Sequence, residues 1–225
     1  STVPMASGTF QPVGDVAMGI IDRMQDAYQN GKPAKDYAYA GLGSLASRIG
    51  GWRRGRFYVL GGRPGMGKST TALSLLLNTA KAGHGVMLFS LEMGKDELAE
   101  MALCNLARST SRVEYRDLNP SNADRSDYAD MFAAVHAVQP RLAALPFEVV
   151  DRAGLTLGQI REAAVSYARV LADQGKRLEV LAIDHLNLIT ASDRYRGNKV
   201  AETEETSGAL KVLAKELDCA VLCLV

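Results

Sequence analysis

The sequence has few cysteines and no long apolar stretch. Its 225 residues include only three cysteines, Cys104, Cys219 and Cys223, and no Cys-x-x-Cys pair. This odd number argues against a disulfide framework and against a cysteine zinc cluster. No run approaches the roughly 18–20 apolar residues of a membrane-spanning helix, and the N-terminus lacks a secretion signal. We therefore expect a cytoplasmic protein that uses no membrane and keeps its cysteines as small core residues.

The sequence also lacks an excess of charge of either sign. Lys and Arg number 26 and Asp and Glu number 25, which gives a net charge of +1. This balance excludes a protein that attracts nucleic acid through its overall charge, although a local basic patch stays open. At 47% hydrophobic and 23% charged residues, the composition is typical of a folded globular domain.

The first 40 residues differ in composition and hydrophobic pattern from the remainder. Residues 1–15 are rich in Pro, Gly, Ser and Thr and are predicted to be poorly ordered. Residues 16–30 are predicted to form an amphipathic helix, and residues 31–40 a linker. We therefore predict a flexible N-terminus with a linker helix over residues 1–40 and a second domain over residues 41–225. Because the chain stops inside an apolar strand, we expect this domain to continue beyond Val225.

From residue 41 onward, apolar strands alternate with helices. This order predicts βαβ crossovers and a mostly parallel sheet with helices on both faces, an α/β fold. Strands are predicted at residues 57–61, 86–91, 146–150, 178–183 and 220–225. Helices are predicted at residues 68–82, about 95–108, about 124–138, 156–174 and 200–217.

A phosphate-binding pattern, GxxxxGK[ST], lies between the first of these strands and its helix. Glycines let the backbone wrap a phosphate with its N–H groups, and the helix N-terminus adds positive potential. We expect Lys68 to reach the β- and γ-phosphates of ATP and the hydroxyl of Ser69 to ligate Mg²⁺. The alternative is a glycine-rich turn that matches by chance. The predicted nucleotide-binding residues are Gly62, Arg63, Pro64, Gly65, Met66, Gly67, Lys68, Ser69 and Thr70.

Two acidic residues follow later strands. Asp184 ends the apolar run Leu-Ala-Ile-Asp, and Glu92 directly follows the predicted second strand. Carboxyl ends of parallel strands share one edge, so both should lie beside the phosphate site. There Asp184 is predicted to hold Mg²⁺ through water, and Glu92 to be the general base. The alternatives are a turn residue for Asp184 and, equally favoured by position alone, a helix-start residue for Glu92.

Three segments together resemble the ATPase domain of DnaB-type replicative helicases, which are RecA-like P-loop proteins. Residues 62–69 read GRPGMGKS, residues 89–93 read FSLEM, and residues 183–189 read IDHLNLI. The family has GRPxMGK[ST], FSLEM and an acidic strand end that is usually followed by Tyr, where this chain has His185. Over about residues 41–225 the resemblance implies a RecA-like fold, with Glu92 as catalytic glutamate and Asp184 as the acid on the Mg²⁺ side.

The resemblance also implies a function and partners. The chain would be the motor domain of a replicative helicase that couples ATP hydrolysis to translocation on single-stranded DNA and to unwinding. A homo-hexamer, a primase and a helicase loader would be its partners, and the family's sensor, DNA-binding loop and arginine finger would follow Val225. The alternative from another class is a RecA-like recombinase or regulatory ATPase without unwinding activity. A third is a nucleotide-binding fragment that is inactive alone.

The helix predicted at residues 16–30 stands where the family has its linker helix. Its apolar stripe is too short to be stable alone in water, so it needs a partner surface. By resemblance the partner is the adjacent ATPase domain, and the alternative is that the helix folds back on its own domain. The stripe consists of Val16, Ile20, Ile21, Met24, Ala27 and Tyr28.

Two further groups of residues have open interpretations. Arg194, Arg196 and Lys199 follow the strand of Asp184 and either bind DNA phosphates or belong to a solvated loop. Trp52 either packs near the adenine or covers the core. It lies in a basic cluster, predicted to be a solvated turn, that consists of Arg48, Arg53, Arg54 and Arg56.

Overall fold

The structure is a computed structural model of the whole chain, and it describes residues 12–30, 37–38, 43–108, 113–114, 118, 126–186 and 199–225. The chain divides into two compact units, residues 1–37 and residues 38–225. Among the described residues, every helix is too short or too polar to cross a bilayer.

The first unit contains helix α1, Val13–Asn30. The helix begins three residues earlier than predicted, because the carbonyl oxygen of Pro12 accepts hydrogen bonds from the N–H groups of Asp15 and Val16. No residue of α1 is buried, and the larger side chains of its predicted stripe are exposed, whereas Ala27 is half-buried.

The second unit alternates strands with helices. Two short strands, β1 (Tyr37–Ala38), which begins at the last residue of the first unit, and β2 (Trp52–Arg53), form a separate two-stranded sheet. The other strands are β3 (Phe57–Leu60), β4 (Gly85–Ser90), β5 (Phe147–Val150), β6 (Leu178–Asp184) and β7 (Ala220–Leu224). The helices are α2 (Gly43–Ile49), α3 (Lys68–Lys81), α4 (Lys95–Ala107), α5 (Tyr128–Ala143), α6 (Leu157–Asp173) and α7 (Lys199–Glu216).

The main sheet has five strands in the order β3-β7-β6-β4-β5, and all neighbouring pairs are parallel. The predicted α/β fold is therefore confirmed. Because the chain runs in the same direction through every strand, the carboxyl ends of β3, β4, β5, β6 and β7 share one edge.

Alternate residues of the central strands point to opposite faces of the sheet, as strand geometry requires. On one face, Leu88, Ala182 and Leu222 pack in the same cluster as Leu76 and Leu77 of α3. On the other face, the apolar residues of the same strands pack with helices α6 and α7, in a cluster that includes Phe89, Ile183, Val221, Ile160 and Leu210. Burial on both faces explains why these strands read as continuous apolar runs.

Helix α5 corrects the predicted boundaries. It begins at Tyr128 and ends at Ala143, whereas the pattern predicts about 124–138. Pro140 lies inside the helix, although a proline usually ends one. The helix continues past Pro140, whose carbonyl oxygen accepts the N–H of Ala144 at 3.1 Å. The hydrophobic pattern of the sequence also did not predict helix α2 or the strands β1 and β2. Strand β1, Tyr37–Ala38, lies inside the predicted linker.

The environment of Trp52 decides between its two interpretations. Its ring is 2% exposed, its Nε1–H donates to Oγ1 of Thr79 at 3.0 Å, and it packs edge-to-face on Tyr58. Trp52 is therefore a core residue. The prediction that the basic cluster is a solvated turn is wrong for Arg54. Its guanidinium pairs with the buried carboxylate of Glu179 through two hydrogen bonds of 2.9 and 2.7 Å.

Candidate nucleotide-binding site

The loop between β3 and α3 has a shape that requires glycine at two positions. Gly65 has a φ of 80° and Gly67 a φ of 75°, in the left-handed region that other residues rarely adopt. The carbonyl oxygen of Gly67 accepts the N–H of Thr71 at 2.8 Å, which starts the helix directly after Gly67. Two of the glycines in the GxxxxGK[ST] pattern therefore set the backbone conformation of the loop.

The N-terminus of α3 is suited to an anion. Gly67 stands at the cap position without a side-chain cap, and the first turn contains no acidic residue. The first N–H groups of a helix lack intrahelical partners and concentrate positive partial charge. Lys68 adds a full positive charge at the same place, so the loop and helix end together favour a phosphate.

The two predicted acidic residues lie at the carboxyl ends of adjacent strands. Ser90, the last residue of β4, is in register with Asp184, the last residue of β6. Glu92 follows β4 by two residues and is exposed, whereas Asp184 is only 4% exposed. The structure therefore brings both carboxylates to the sheet edge from which the phosphate loop departs.

A cavity of about 1070 Å³ joins most of these residues. Glu92 and His185 line it together with residues of the loop and of α3. Of the nine predicted nucleotide-binding residues, Met66 does not line it and has a side chain that is 73% exposed. The predicted residues that line it are Gly62, Arg63, Pro64, Gly65, Gly67, Lys68, Ser69 and Thr70.

Asp184 does not line the cavity, but it has an unsatisfied atom. Its Oδ1 is buried and has no hydrogen-bond partner within the described part of the chain. A buried carboxylate oxygen without a donor is costly, so a cation or its water would stabilise it. The described residues contain no group of three or more His, Cys, Asp or Glu that could hold a metal alone. This donor set fits Mg²⁺, which binds through one or two protein groups, phosphates and waters.

The buried thiol of Cys223 is affected by charges at the carboxyl edge of the sheet. The pKa of Cys223 is raised to about 12, first by burial and then by the negative charge of Asp184. The positive charge of Lys68 lowers the pKa of the same thiol. Charges of opposite sign, Lys68 at the start of α3 and Asp184 at the end of β6, therefore both act on Cys223 of β7, which lies between β3 and β6.

The segment that carries Glu92 is held at both ends. The hydroxyl of Ser90 donates to the carbonyl oxygen of Met93 at 2.7 Å. The N–H of Lys95, at the start of α4, donates to Oδ2 of Asp151 at 3.1 Å. Because Gly94 has no side chain to cap α4, Asp151 supplies a cap from the end of β5. Sequence reasoning missed Asp151, although it follows an apolar strand as Asp184 does.

Sequence reasoning also missed one wall of the cavity. Helix α4 contributes residues spaced by three or four positions, which is the spacing of one helix face. This spacing is visible in the sequence and could have predicted which face of α4 lines the cavity. The residues on this face are Glu97, Met101, Cys104, Asn105 and Arg108.

The predicted DNA-binding residues receive no test from the structure. Arg194 and Arg196 lie outside the described residues. Lys199 is the first residue of α7, and its side chain is outside the described part of the chain. Their role stays a prediction from sequence.

The parallel sheet and the glycine loop that opens α3 at the carboxyl edge define a P-loop nucleotide-binding protein of the α/β class. Comparison with known proteins then identifies the family. The chain belongs to the DnaB-like helicase C terminal domain family, whose sequence profile matches residues 39–225. The resemblance inferred from residues 62–69, 89–93 and 183–189 is therefore confirmed.

Relatives with curated descriptions are replicative helicases. The chain is 27% identical over 219 residues to "Replicative DNA helicase DnaC" of Bacillus subtilis, covering 97% of this chain and 45% of that protein. It is 31% identical over 188 residues to "Replicative DNA helicase DnaB" of Pasteurella multocida, covering 82% and 37%. The chain thus spans less than half the length of these relatives.

Solved structures share the fold. One, described as "The Structure Of A DnaB-Like Replicative Helicase And Its Interactions With Primase", has a TM-score of 0.82 and 22% identity, covering 97% of this chain and 49% of that one. Another, described as an ATPase domain, has a TM-score of 0.80 and 21% identity, covering 96% and 71%. At these identities the match supports the RecA-like fold alone.

Proposed function

We propose that this chain is the ATP-hydrolysing motor domain of a replicative DNA helicase. The observation that carries the proposal is the arrangement of Lys68, Ser69 and Glu92 around one cavity, with Asp184 at the same sheet edge. Membership of the DnaB-like family supports unwinding as the use of that chemistry.

Each residue has a role in hydrolysis. The main-chain N–H groups of Gly65, Gly67 and Lys68 and the ammonium of Lys68 bind the polyphosphate and stabilise the charge that develops during transfer. Glu92 accepts a proton from the attacking water as the new phosphorus–oxygen bond forms and ADP leaves. Ser69 and Asp184 would hold Mg²⁺, which supplies charge neutralisation at the phosphates.

The partners of the motor are proposed from the relatives. Replicative helicases act on DNA, and a related structure is described with primase, so single-stranded DNA and a primase are the expected partners. A helicase loader and a cytoplasmic location follow from the same role. Arg194, Arg196 and Lys199 are the proposed contacts to DNA phosphates.

Assembly into a homo-hexamer is proposed from α1. Its apolar stripe is uncovered, with Met24 67% and Tyr28 91% exposed. Covering such a stripe with a second copy of the ATPase unit would remove apolar area from water. Folding back onto the ATPase unit of the same chain would also remove the apolar area from water. Only contact with a second copy would link subunits, so the effect of α1 on assembly distinguishes the two arrangements.

Strand displacement tests the proposal. A full-length form of the protein, given ATP and a forked duplex with a 5′ tail, is expected to separate the strands. Lys68→Ala is expected to abolish ATP binding and unwinding, whereas Lys176→Ala, which lies before β6 and does not line the cavity, is the matched control. ATP hydrolysis that single-stranded DNA stimulates, without strand separation, would favour the recombinase or regulatory ATPase.

A further inference from the structure

His185 occupies the site without having a role in the chemistry proposed above. It follows Asp184 directly, is half-buried and lines the same cavity as Lys68 and Glu92. Its Nδ1 lies 3.3 Å from the carbonyl oxygen of Leu224, at the end of the adjacent strand β7. The ring is thus fixed at one nitrogen, on the wall of the proposed nucleotide site.

The contact with Leu224 determines which ring nitrogen carries the hydrogen. A carbonyl oxygen only accepts hydrogen bonds, so Nδ1 must be the donor. In a neutral imidazole, Nε2 is then an acceptor. The hydrogen bond to Leu224 uses Nδ1 and so leaves the other ring nitrogen for a ligand in the cavity.

Nε2 of His185 is therefore an acceptor on the wall of the cavity, next in sequence to the carboxylate proposed for Mg²⁺. The oxygens of a polyphosphate are themselves acceptors and do not donate to this nitrogen. Water donates hydrogens, so Nε2 of His185 is suited to hold water rather than phosphate.

We propose that His185 holds the water that attacks the γ-phosphate. One hydrogen of the water is donated to Nε2 of His185, and the other to the carboxylate of Glu92. The lone pair of the water oxygen then points at phosphorus. As the bond forms, the proton passes to Glu92 and the bond between phosphorus and the ADP oxygen breaks. This inference rests on the proposed ATP hydrolysis.

Three substitutions separate the two nitrogens. Asn places its amide nitrogen near the position of Nδ1, so His185→Asn keeps the donor to Leu224 and removes the acceptor. His185→Gln places a side-chain oxygen near the position of Nε2. His185→Phe removes both groups.

In a full-length form, His185→Asn is expected to keep wild-type thermal stability and ATP affinity while kcat falls about tenfold, the scale of one hydrogen bond. His185→Gln should recover part of kcat, and His185→Phe should match or exceed the loss. ADP with aluminium fluoride, which mimics the transferring phosphoryl group and its water, should bind the Asn variant about tenfold more weakly than the wild type.

Wild-type kcat and wild-type affinity for ADP with aluminium fluoride in His185→Asn would overturn the assignment. A loss of kcat accompanied by an equal loss of ATP affinity or of stability would also overturn it, because the nitrogen bonded to Leu224 would then be the important one. Lys68→Ala tests ATP binding independently of His185. A wrong assignment of His185 can therefore be distinguished from a wrong proposal of ATP hydrolysis.

Discussion

The main-chain N–H of Leu91 donates to the main-chain carbonyl of Asp184 at 2.6 Å. This bond continues the pairing of β4 with β6 one residue beyond the strand end. It fixes the start of the segment that carries Glu92 relative to the buried carboxylate of Asp184. The proposed base and the proposed metal-side acid are therefore positioned by backbone hydrogen bonding rather than by contact between their side chains.

Glu92→Gln separates nucleotide binding from turnover. Gln keeps the size and hydrogen-bonding capacity of the side chain but does not accept a proton. In a full-length form, ATP binding should survive while kcat falls by about two orders of magnitude or more, the usual scale for a general base. Calorimetry measures the binding, and phosphate release measures kcat.

The matched control for that change is Glu100→Gln. Glu100 lies on α4 and is not among the cavity-lining residues. Its kcat should stay at the wild-type value. Equal kcat in the Glu92 and Glu100 variants would make Glu92 only a helix-start residue.

Asp184→Asn should reduce the contribution of Mg²⁺ to ATP binding. The substitution removes the charge that attracts the cation, so ATP affinity should change less on adding Mg²⁺ than in the wild type. Without ligand, the melting temperature should be equal or higher, because an unpartnered buried charge is lost. Asp173→Asn, at the exposed end of α6, is the control. A fully retained Mg²⁺ effect would remove Asp184 from the metal site.

Gly85 is a packing position at the start of β4. A Cβ there would lie inside van der Waals contact with the carbonyl oxygen of Arg177 and with Cδ1 of Leu171. Gly85→Ala should therefore lower the free energy of unfolding by about 1–3 kcal/mol, the usual cost of overpacking. Gly208→Ala lies in α7, where no described atom beyond its chain neighbours and the helix's own backbone is within 4 Å of the position that the added methyl group would take. It should be neutral or stabilising by up to about 1 kcal/mol. Urea unfolding with equal losses for both variants would contradict the packing argument.

The cysteines should differ in reactivity. The pKa values of Cys219 and Cys223 are both raised to about 12 by burial and by nearby carboxylates, so at pH 8 both are almost entirely neutral thiols. Neither should react with iodoacetamide in the folded chain, whereas Cys104, which is also buried but lines the cavity, should react first. Mass spectrometry locates the label, and the chain in urea should label at all three. Rapid labelling of folded Cys223 would contradict its burial.

The fold was predictable from sequence where one physical rule dominates. Strands buried on both faces read as apolar runs, and glycine at 65 and 67 is required by the loop backbone. The sheet order was not predictable, because hydrophobic pattern does not specify which parallel strands are neighbours. Helix α5 was misplaced because Pro140 is tolerated inside it.

The candidate site was predictable in part, for a related reason. Glu92 and Asp184 could be found because each follows a strand along the chain. Asp151 acts on Lys95, which is 56 residues away, and His185 acts on Leu224, which is 39 residues away. Those contacts depend on which strands are neighbours, so sequence alone did not predict them.

Deleting residues 1–35 should separate an assembled ring into monomers while ATP binding survives. The apolar stripe of α1 is uncovered, and apolar area of this kind is stabilised by contact with another copy. Sedimentation velocity measures the assembly, and calorimetry measures ATP binding by the shortened chain. A more conservative variant, Ile20→Asp, places a charge in the stripe and should weaken the assembly in the same direction.

Gln29→Asp is the matched control for the stripe, because residue 29 lies on the face of α1 opposite Ile20 at 100° per residue. It adds the same charge without changing the apolar face, so its sedimentation should equal that of the wild type. If α1 instead covers the ATPase unit of its own chain, Ile20→Asp should lower the melting temperature of the monomer and leave the assembly intact. Unchanged sedimentation after the deletion would likewise exclude α1 as the main link between subunits.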